Sequence, residues 1–217
     1  MLKHRALWRT LGRIGLAGCS MLALSACGAH YAQVPARLNL EPYGRVALVT
    51  FSTEQPDKQQ WSTMATQRFA EALLASQSHI ELIELPVSDS TARALAQADD
   101  PSELLAAIGR ERRVPAVFLG RLSVSGVKPK GGLINAARGL KVQAEVSAQL
   151  SVRLLSTGTG GTMWRSSSIA NGTVGRVALA DATPSVAVRN PDDAYGELVG
   201  ELVHNVTRDL RPTFVKQ

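Results

Sequence analysis

Residues 141–154 read KVQAEVSAQLSVRL. Val142, Ala144, Val146, Ala148, Leu150, Val152 and Leu154 are apolar, and Lys141, Gln143, Glu145, Ser147, Gln149, Ser151 and Arg153 between them are polar. A period of two puts alternate side chains on opposite faces of a strand. The run therefore predicts one β-strand with a dry face and a wet face, and Val146 and Leu150 as core residues. Fully extended it spans roughly 45 Å, whereas a common strand has about 5–6 residues.

Other elements follow on both sides. Residues 45–51, RVALVTF, form a short apolar run, the pattern of a buried strand. Residues 59–77 repeat apolar positions at helical spacing, with Asp57 and Gln60 as a loose capping box. IELIEL at 80–85 is a second strand, residues 88–98 a short helix and Ser102–Arg112 a clearer one. PAVFLGRLSVSGV at 115–127 is a third strand, and Lys128-Pro129-Lys130-Gly131-Gly132 breaks its run. After residues 141–154, STGTGG at 156–161 is a turn and 162–170 a fifth strand; 171–189, rich in Gly, Ala and Val, is a candidate further hairpin. Asn190 caps a last helix, with Pro191 at its first position and Asp192 and Asp193 against its positive end. Its apolar stripe is Tyr195, Leu198, Val199, Leu202, Val206 and Leu210. The order is β-α-β-α-β, then β-β, then α. It predicts an α/β fold: one domain over 44–217 with a single mixed sheet, its first three strands parallel and the later ones antiparallel, and helices packed on it.

The amino-terminal end reads as an export signal. The chain carries 24 Lys and Arg against 18 Asp and Glu, for a formal charge of +6. Lys3, Arg5, Arg9 and Arg13 stand in the first 27 residues, which hold no acid, so the remainder is nearly balanced and the basic excess is poor support for nucleic-acid binding. IGLAGCSMLALSA at 14–26 is uncharged, too short to span a membrane at about 20 residues, and fits a signal-peptide core of about 7–15. It ends in Leu24-Ser25-Ala26-Cys27, which resembles the bacterial lipobox. Leu16-Ala17-Gly18-Cys19 matches the same pattern, but only Ile14 and Gly15 separate it from Arg13. The expected arrangement is a signal peptide over 1–26, a lipidated Cys27, and a tether through 43. The chain's two cysteines would then be discarded or capped, leaving no thiol for catalysis or a disulfide. Gly28 after Cys27, rather than Asp, implies by resemblance to enterobacterial sorting the outer membrane, facing the periplasm.

The motifs that carry chemistry are sparse. His30, His79 and His204 have no metal-ligand spacing. Glu81 and Glu84 point to opposite faces of one strand. GTGGT at 158–162 lacks the Gly-Lys-Ser/Thr of a phosphate loop. No nucleophile, base and orienting group assemble from any motif, so no enzyme activity, cofactor or metal is expected. The candidate partner contacts are the basic tip Lys128 and Lys130 and the polar face of the last helix, Glu197, Glu201 and Arg208.

Residues Leu150, Val152, Arg153, Leu154, Thr157, Gly158, Met163 and Trp164 match a pattern, L.VRL…TG…W, that follows a strand and a loop (GRLSVSGVKPKGG). With the lipobox and the element order, the chain resembles over about 44–210 the domain shared by curli-secretion-type lipoproteins, penicillin-binding-protein activator lipoproteins and the amino-terminal domain of the Tol-system propeller protein. The resemblance implies a lipid-anchored, non-enzymatic envelope lipoprotein that docks a periplasmic or outer-membrane protein. The alternative it implies is a subunit of a curli-type secretion pore, whose barrel is made by hairpins inserted beside these strands. The break at 128–132 and the poor alternation over 166–190 count against that alternative. A small-ligand protein or hydrolase is a third class, disfavoured by the missing constellation. Self-association stays open.

Overall fold

The computed structural model describes residues 31–86, 94–95, 101–133, 140–180, 183–188 and 190–216. The expected signal segment, Cys27, His30 and most of the helix expected over 88–98 lie outside these; of the last, Ala94 and Leu95 are helical. The chain divides into two units, one of Met1–Gln33 with Phe214–Gln217 and one of Val34–Thr213. β1 (Tyr31–Val34) and β10 (Thr213–Lys216) pair as a two-stranded sheet.

The second unit is the α/β fold. Its sheet contains β2 (Arg45–Val49), the two-residue β3 (Ser52–Thr53), β4 (Glu81–Leu85), β5 (Ala116–Val124), β6 (Lys128–Leu133), β7 (Leu140–Ser156), β8 (Thr162–Ala180) and β9 (Thr183–Val188). The order is β4-β2-β5-β7-β8-β9, with β3 on β5 and β6 on β7. β2 runs parallel to β4 and β5; β5, β7, β8 and β9 run antiparallel in sequence. Besides Ala94 and Leu95, the helices among the described residues are α1 (Gln59–Ser76), α2 (Ser102–Arg112) and α3 (Pro191–Val206).

Helices cover both sheet faces, which explains why β2 is apolar and buried from Val46 to Val49, whereas β4 at the edge exposes Glu81 and Glu84. In β2, Val46 and Leu48 join one core cluster, and Ala47 and Val49 the other. β5 divides in the same way, with Phe118 and Leu122 on the first side and Val117 and Leu119 on the second. The larger cluster lies under α1 and α3, through Trp61, Ala65, Phe69, Leu73, Leu198 and Leu202. The smaller lies under α2, through Leu105 and Ile108. β7 behaves as its alternation demands: Val146, Ala148, Leu150, Val152 and Leu154 are buried, and Gln149 and Arg153 are exposed.

Several polar groups in the core are matched, whereas the indole N–H groups of Trp61 and Trp164 are buried without a partner. At the carboxyl end of β2, the Phe51 amide donates to Thr66 Oγ1 at 2.9 Å and the Ser62 hydroxyl donates to the Phe51 carbonyl. The buried Gln77 side chain accepts from the Leu40 amide and donates to the carbonyls of Leu38 and Leu210. Leu40 is fully buried, so the segment read as a tether packs onto the domain from Leu38.

Two local readings need correction. Asp57 and Gln60 form no capping box; Pro56–Lys58 is a 3-10 turn and Lys58, without a side-chain cap, precedes α1. The break expected at 128–132 is strand β6; the candidate hairpin over 171–189 is present as the end of β8 and β9, although 166–190 alternates poorly. At α3, by contrast, Asn190 Oδ1 accepts from the Asp192 amide at 3.1 Å, as expected of the cap. Asn190→Ala is expected to lower stability by about 1 kcal/mol. Chemical denaturation checks this, and no change would mean the cap contributes nothing.

Candidate functional site

Two long hairpins stand side by side. β5 pairs with β7 from Ala116↔Ser156 to Val124↔Ala148, and β6 continues along the same strand from Lys128↔Glu145 to Leu133↔Leu140. Between them the chain bulges at 125–127. Ser125 closes the gap: its amide donates to the Ser147 carbonyl at 2.7 Å, its Oγ accepts from the Ser147 amide at 2.8 Å, and its carbonyl accepts from the Tyr195 hydroxyl at 3.1 Å. β8 follows β7 throughout, with a register shift at Ala144/Glu145, and then pairs with β9.

The result is a four-stranded antiparallel extension, β6-β7-β8-β9. Its register rows sort by chemistry. Pro129, Ala144, Gly175 and Val188 share one row, and Gly131, Val142, Val177 and Val186 share another. Leu133 with Leu140 and Leu179 with Pro184 continue the same face. The intervening row holds Lys130, Gln143, Arg176 and Ala187; beyond it Lys128 stands opposite Glu145, and Gly132, Lys141, Ala178 and Ser185 align. By register, alternate rows of the ladder hold only apolar residues and glycine, and the rows between them hold Lys128, Lys130, Lys141 and Arg176. The apolar face prolongs the larger core face, since Ala144 still packs against that cluster.

The sequence-predicted contacts fall on two elements. Lys128 is exposed at the start of β6, and Lys130 occupies the same strand. Glu197 and Glu201 line an open groove of about 730 Å³ between α1 and α3, with Asp192, Asp193, Trp61 and Arg68. Arg68 reaches across it, its Nη1 donating to the Gly196 carbonyl at 2.8 Å. A Cβ at Gly200 would come within 2.7 Å of that Nη1, so the small residue makes room for the guanidinium. Arg208 is exposed in the 3-10 turn Arg208–Leu210 and does not line the groove. His79 and His204 are exposed; His204 Nδ1 lies 3.1 Å from Arg211 Nη1. Sequence reasoning missed the extension because its apolar face is assembled from both hairpins.

The residues of the L.VRL…TG…W pattern hold the fold. The buried Thr157 hydroxyl donates to the Val114 carbonyl at 2.7 Å, and Trp164 packs edge-on to Phe118 with centroids 6.1 Å apart. No helix among the described residues is long and apolar enough to cross a membrane, a finding that does not bear on strands.

No family model matches the sequence, and no curated protein does. Among solved structures, the chain is similar to the PelC dodecamer of Paraburkholderia phytofirmans at 16% identity, covering 84% of this chain and 96% of that one with a TM-score of 0.42. It is similar to a putative neuraminyllactose-binding hemagglutinin homologue of Helicobacter pylori at 10% identity, covering 76% and 82% with a TM-score of 0.46. A third is lipoprotein GNA1162 of Neisseria meningitidis, at 12% identity over 60% and 83% with a TM-score of 0.37.

Proposed function

We propose that this chain is a lipid-anchored, non-enzymatic envelope lipoprotein, held through Cys27 at the outer membrane and facing the periplasm, whose extension docks a protein partner. The observation that carries the reading is the amphipathic extension, apolar by register on one face and cationic on the other. Six residues per strand rise about 20 Å, and four strands are about 19 Å wide. A contiguous apolar patch of several hundred Å² is the usual mark of an interaction surface. The cationic positions select a partner whose apolar contact surface is bordered by acidic side chains.

The secretion-pore reading is favoured by one observation: two hairpins lie side by side. Two features weigh against it. β6 and β9 have 6 residues each, short of the about 9–11 that a membrane strand needs. The outer strands of the extension also carry Pro129 with Lys128 and Lys130, and Pro184, devices that discourage edge-to-edge pairing. The experiment that separates the two is planar-bilayer recording with the full lipoprotein. The docking reading expects no conductance and no detergent-resistant ring; stepwise channels from a ring would replace it with the pore.

The anchor has its own test. Cys27→Ala is expected to abolish fatty-acid labelling and leave precursor or soluble protein. If Cys19→Ala does this and Cys27→Ala does not, the lipidated residue is Cys19.

A further inference from the structure

A cavity of about 320 Å³ opens on the sheet face opposite α1 and α3, beside the ground covered by α2. Three arginines from three strands line it: Arg121 on β5, Arg153 on β7 and Arg165 on β8. They are far apart in sequence and are gathered by register. Arg153 stands directly opposite Arg165, and Leu119 stands opposite Arg153 on its other side. Arg121 lies Nη1 to Oε1 at 3.3 Å from Glu54, an exposed pair of little strength. No hydrogen bond or ion pair joins the side chain of Arg153 or Arg165 to another described residue.

Like charges directly opposite on neighbouring strands destabilise a sheet. Three guanidiniums against one carboxylate leave a local excess of about two positive charges, which a dianion would neutralise. Guanidinium forks match phosphate oxygens in pairs and remain charged at any physiological pH.

The topology points to the same place. From β2 the chain passes through α1 to β4 on one side, then through α2 to β5 on the other, so strand order reverses between β2 and β5. The helices accordingly cover opposite faces. The crevice outside the carboxyl ends of strands at such a switch point is the usual ligand site of an open α/β sheet. Here that crevice is the cavity, reached by Val49 and Thr50 at the end of β2.

The remaining lining narrows the ligand. Thr50 Oγ1 donates to the Leu85 carbonyl and Ser52 Oγ to the Gly120 carbonyl, so both hydroxyls have spent their protons and present lone pairs. They accept from a ligand's O–H groups while the arginines hold its anion. The volume is at the lower end of small-molecule sites and exceeds what a bare oxyanion fills. We infer that this cavity binds a phosphate monoester of a hydroxyl-rich solute, of the sugar-phosphate class. The site stands apart from the extension, and the docking reading does not depend on it.

The test is titration calorimetry on the full-length protein in neutral detergent at low ionic strength, with glucose 6-phosphate, inorganic phosphate and glucose as probes. The expected order is glucose 6-phosphate above phosphate, and no heat from glucose. Arg153→Gln and Arg165→Gln should each weaken glucose 6-phosphate at least tenfold. Arg208→Gln should leave it unchanged. Both cavity variants keep exposed polar side chains, and their thermal unfolding in the absence of ligand at low salt should match or exceed that of the parent, as relief of like-charge repulsion requires. Absence of binding by either phosphate, equal binding of glucose, or unchanged affinity in Arg153→Gln and Arg165→Gln would each overturn the assignment.

Discussion

Phe118→Ala lowers the unfolding free energy by about 3–5 kcal/mol, the range for truncating a buried phenylalanine. Phe118 is fully buried on β5, the strand between the parallel and antiparallel parts of the sheet. Its ring meets Phe69 of α1 edge-on at 5.3 Å and Trp164 of β8 edge-on at 6.1 Å. Phe69 in turn meets Phe51 at 5.4 Å. Removing the ring leaves a cavity bounded by residues from α1 and β8, which cannot collapse onto one side without parting from the other. Urea denaturation with an unchanged slope is the measurement. A loss below about 1 kcal/mol would mean that this aromatic chain does not join the two halves of the fold.

The second large effect contrasts two neighbours on β7. Leu150 is fully buried, opposite Leu122 on β5, and Leu150→Ala is expected to cost about 2–5 kcal/mol. Gln149 is exposed and stands opposite Ser123 and Ile169, and Ile169 is itself 64% exposed. Gln149→Ala should cost less than about 0.5 kcal/mol. Equal losses at the two positions would mean that the open face of β7 is packed as well, as in a sandwich or an oligomer.

The legible elements were those whose burial repeats with a simple period. β2 and β5 are apolar on both faces, and β7 alternates from Ala144 to Leu154. The cap at Asn190 gave the start of α3, while the stripe from Tyr195 to Leu210 ran past its end at Val206 into the 3-10 turn Arg208–Leu210. β8 was legible as a strand only to Ala170, and its continuation was blurred by the register shift at Ala144/Glu145. Ala170 and Val174 are buried, but Gly175 takes the next register position opposite Ala144, so the apolar phase changes where the bulge falls. Gly172 blurs it further, because a glycine adds no apolar signal at a position that faces Leu198.

β6 was hidden for a different reason. Lys-Pro-Lys-Gly-Gly has little strand preference of its own, and its pairing is templated by β7 on the edge, where proline is tolerated. The arginine cavity left no local trace. Arg153 reads as one more polar residue on a wet face, and only pairing with β8 sets Arg165 beside it. Among the proposed contacts, charge alone grouped Lys128 and Lys130 with Glu197, Glu201 and Arg208; the fold puts the lysines on the extension and both glutamates in the α1–α3 groove.

The central claim is that the extension meets a protein. A photoreactive amino acid at position 177, in the apolar register row, tests it most directly when the lipoprotein is irradiated in its own envelope. The account predicts one discrete adduct with a different protein, weakened by Lys128→Glu and by Arg176→Glu and unaffected by Arg208→Glu. A ladder of adducts at multiples of the chain's own mass, or adducts with lipid alone, would contradict it: the first result would make the extension the wall of a ring, and the second a membrane-seated hairpin pair.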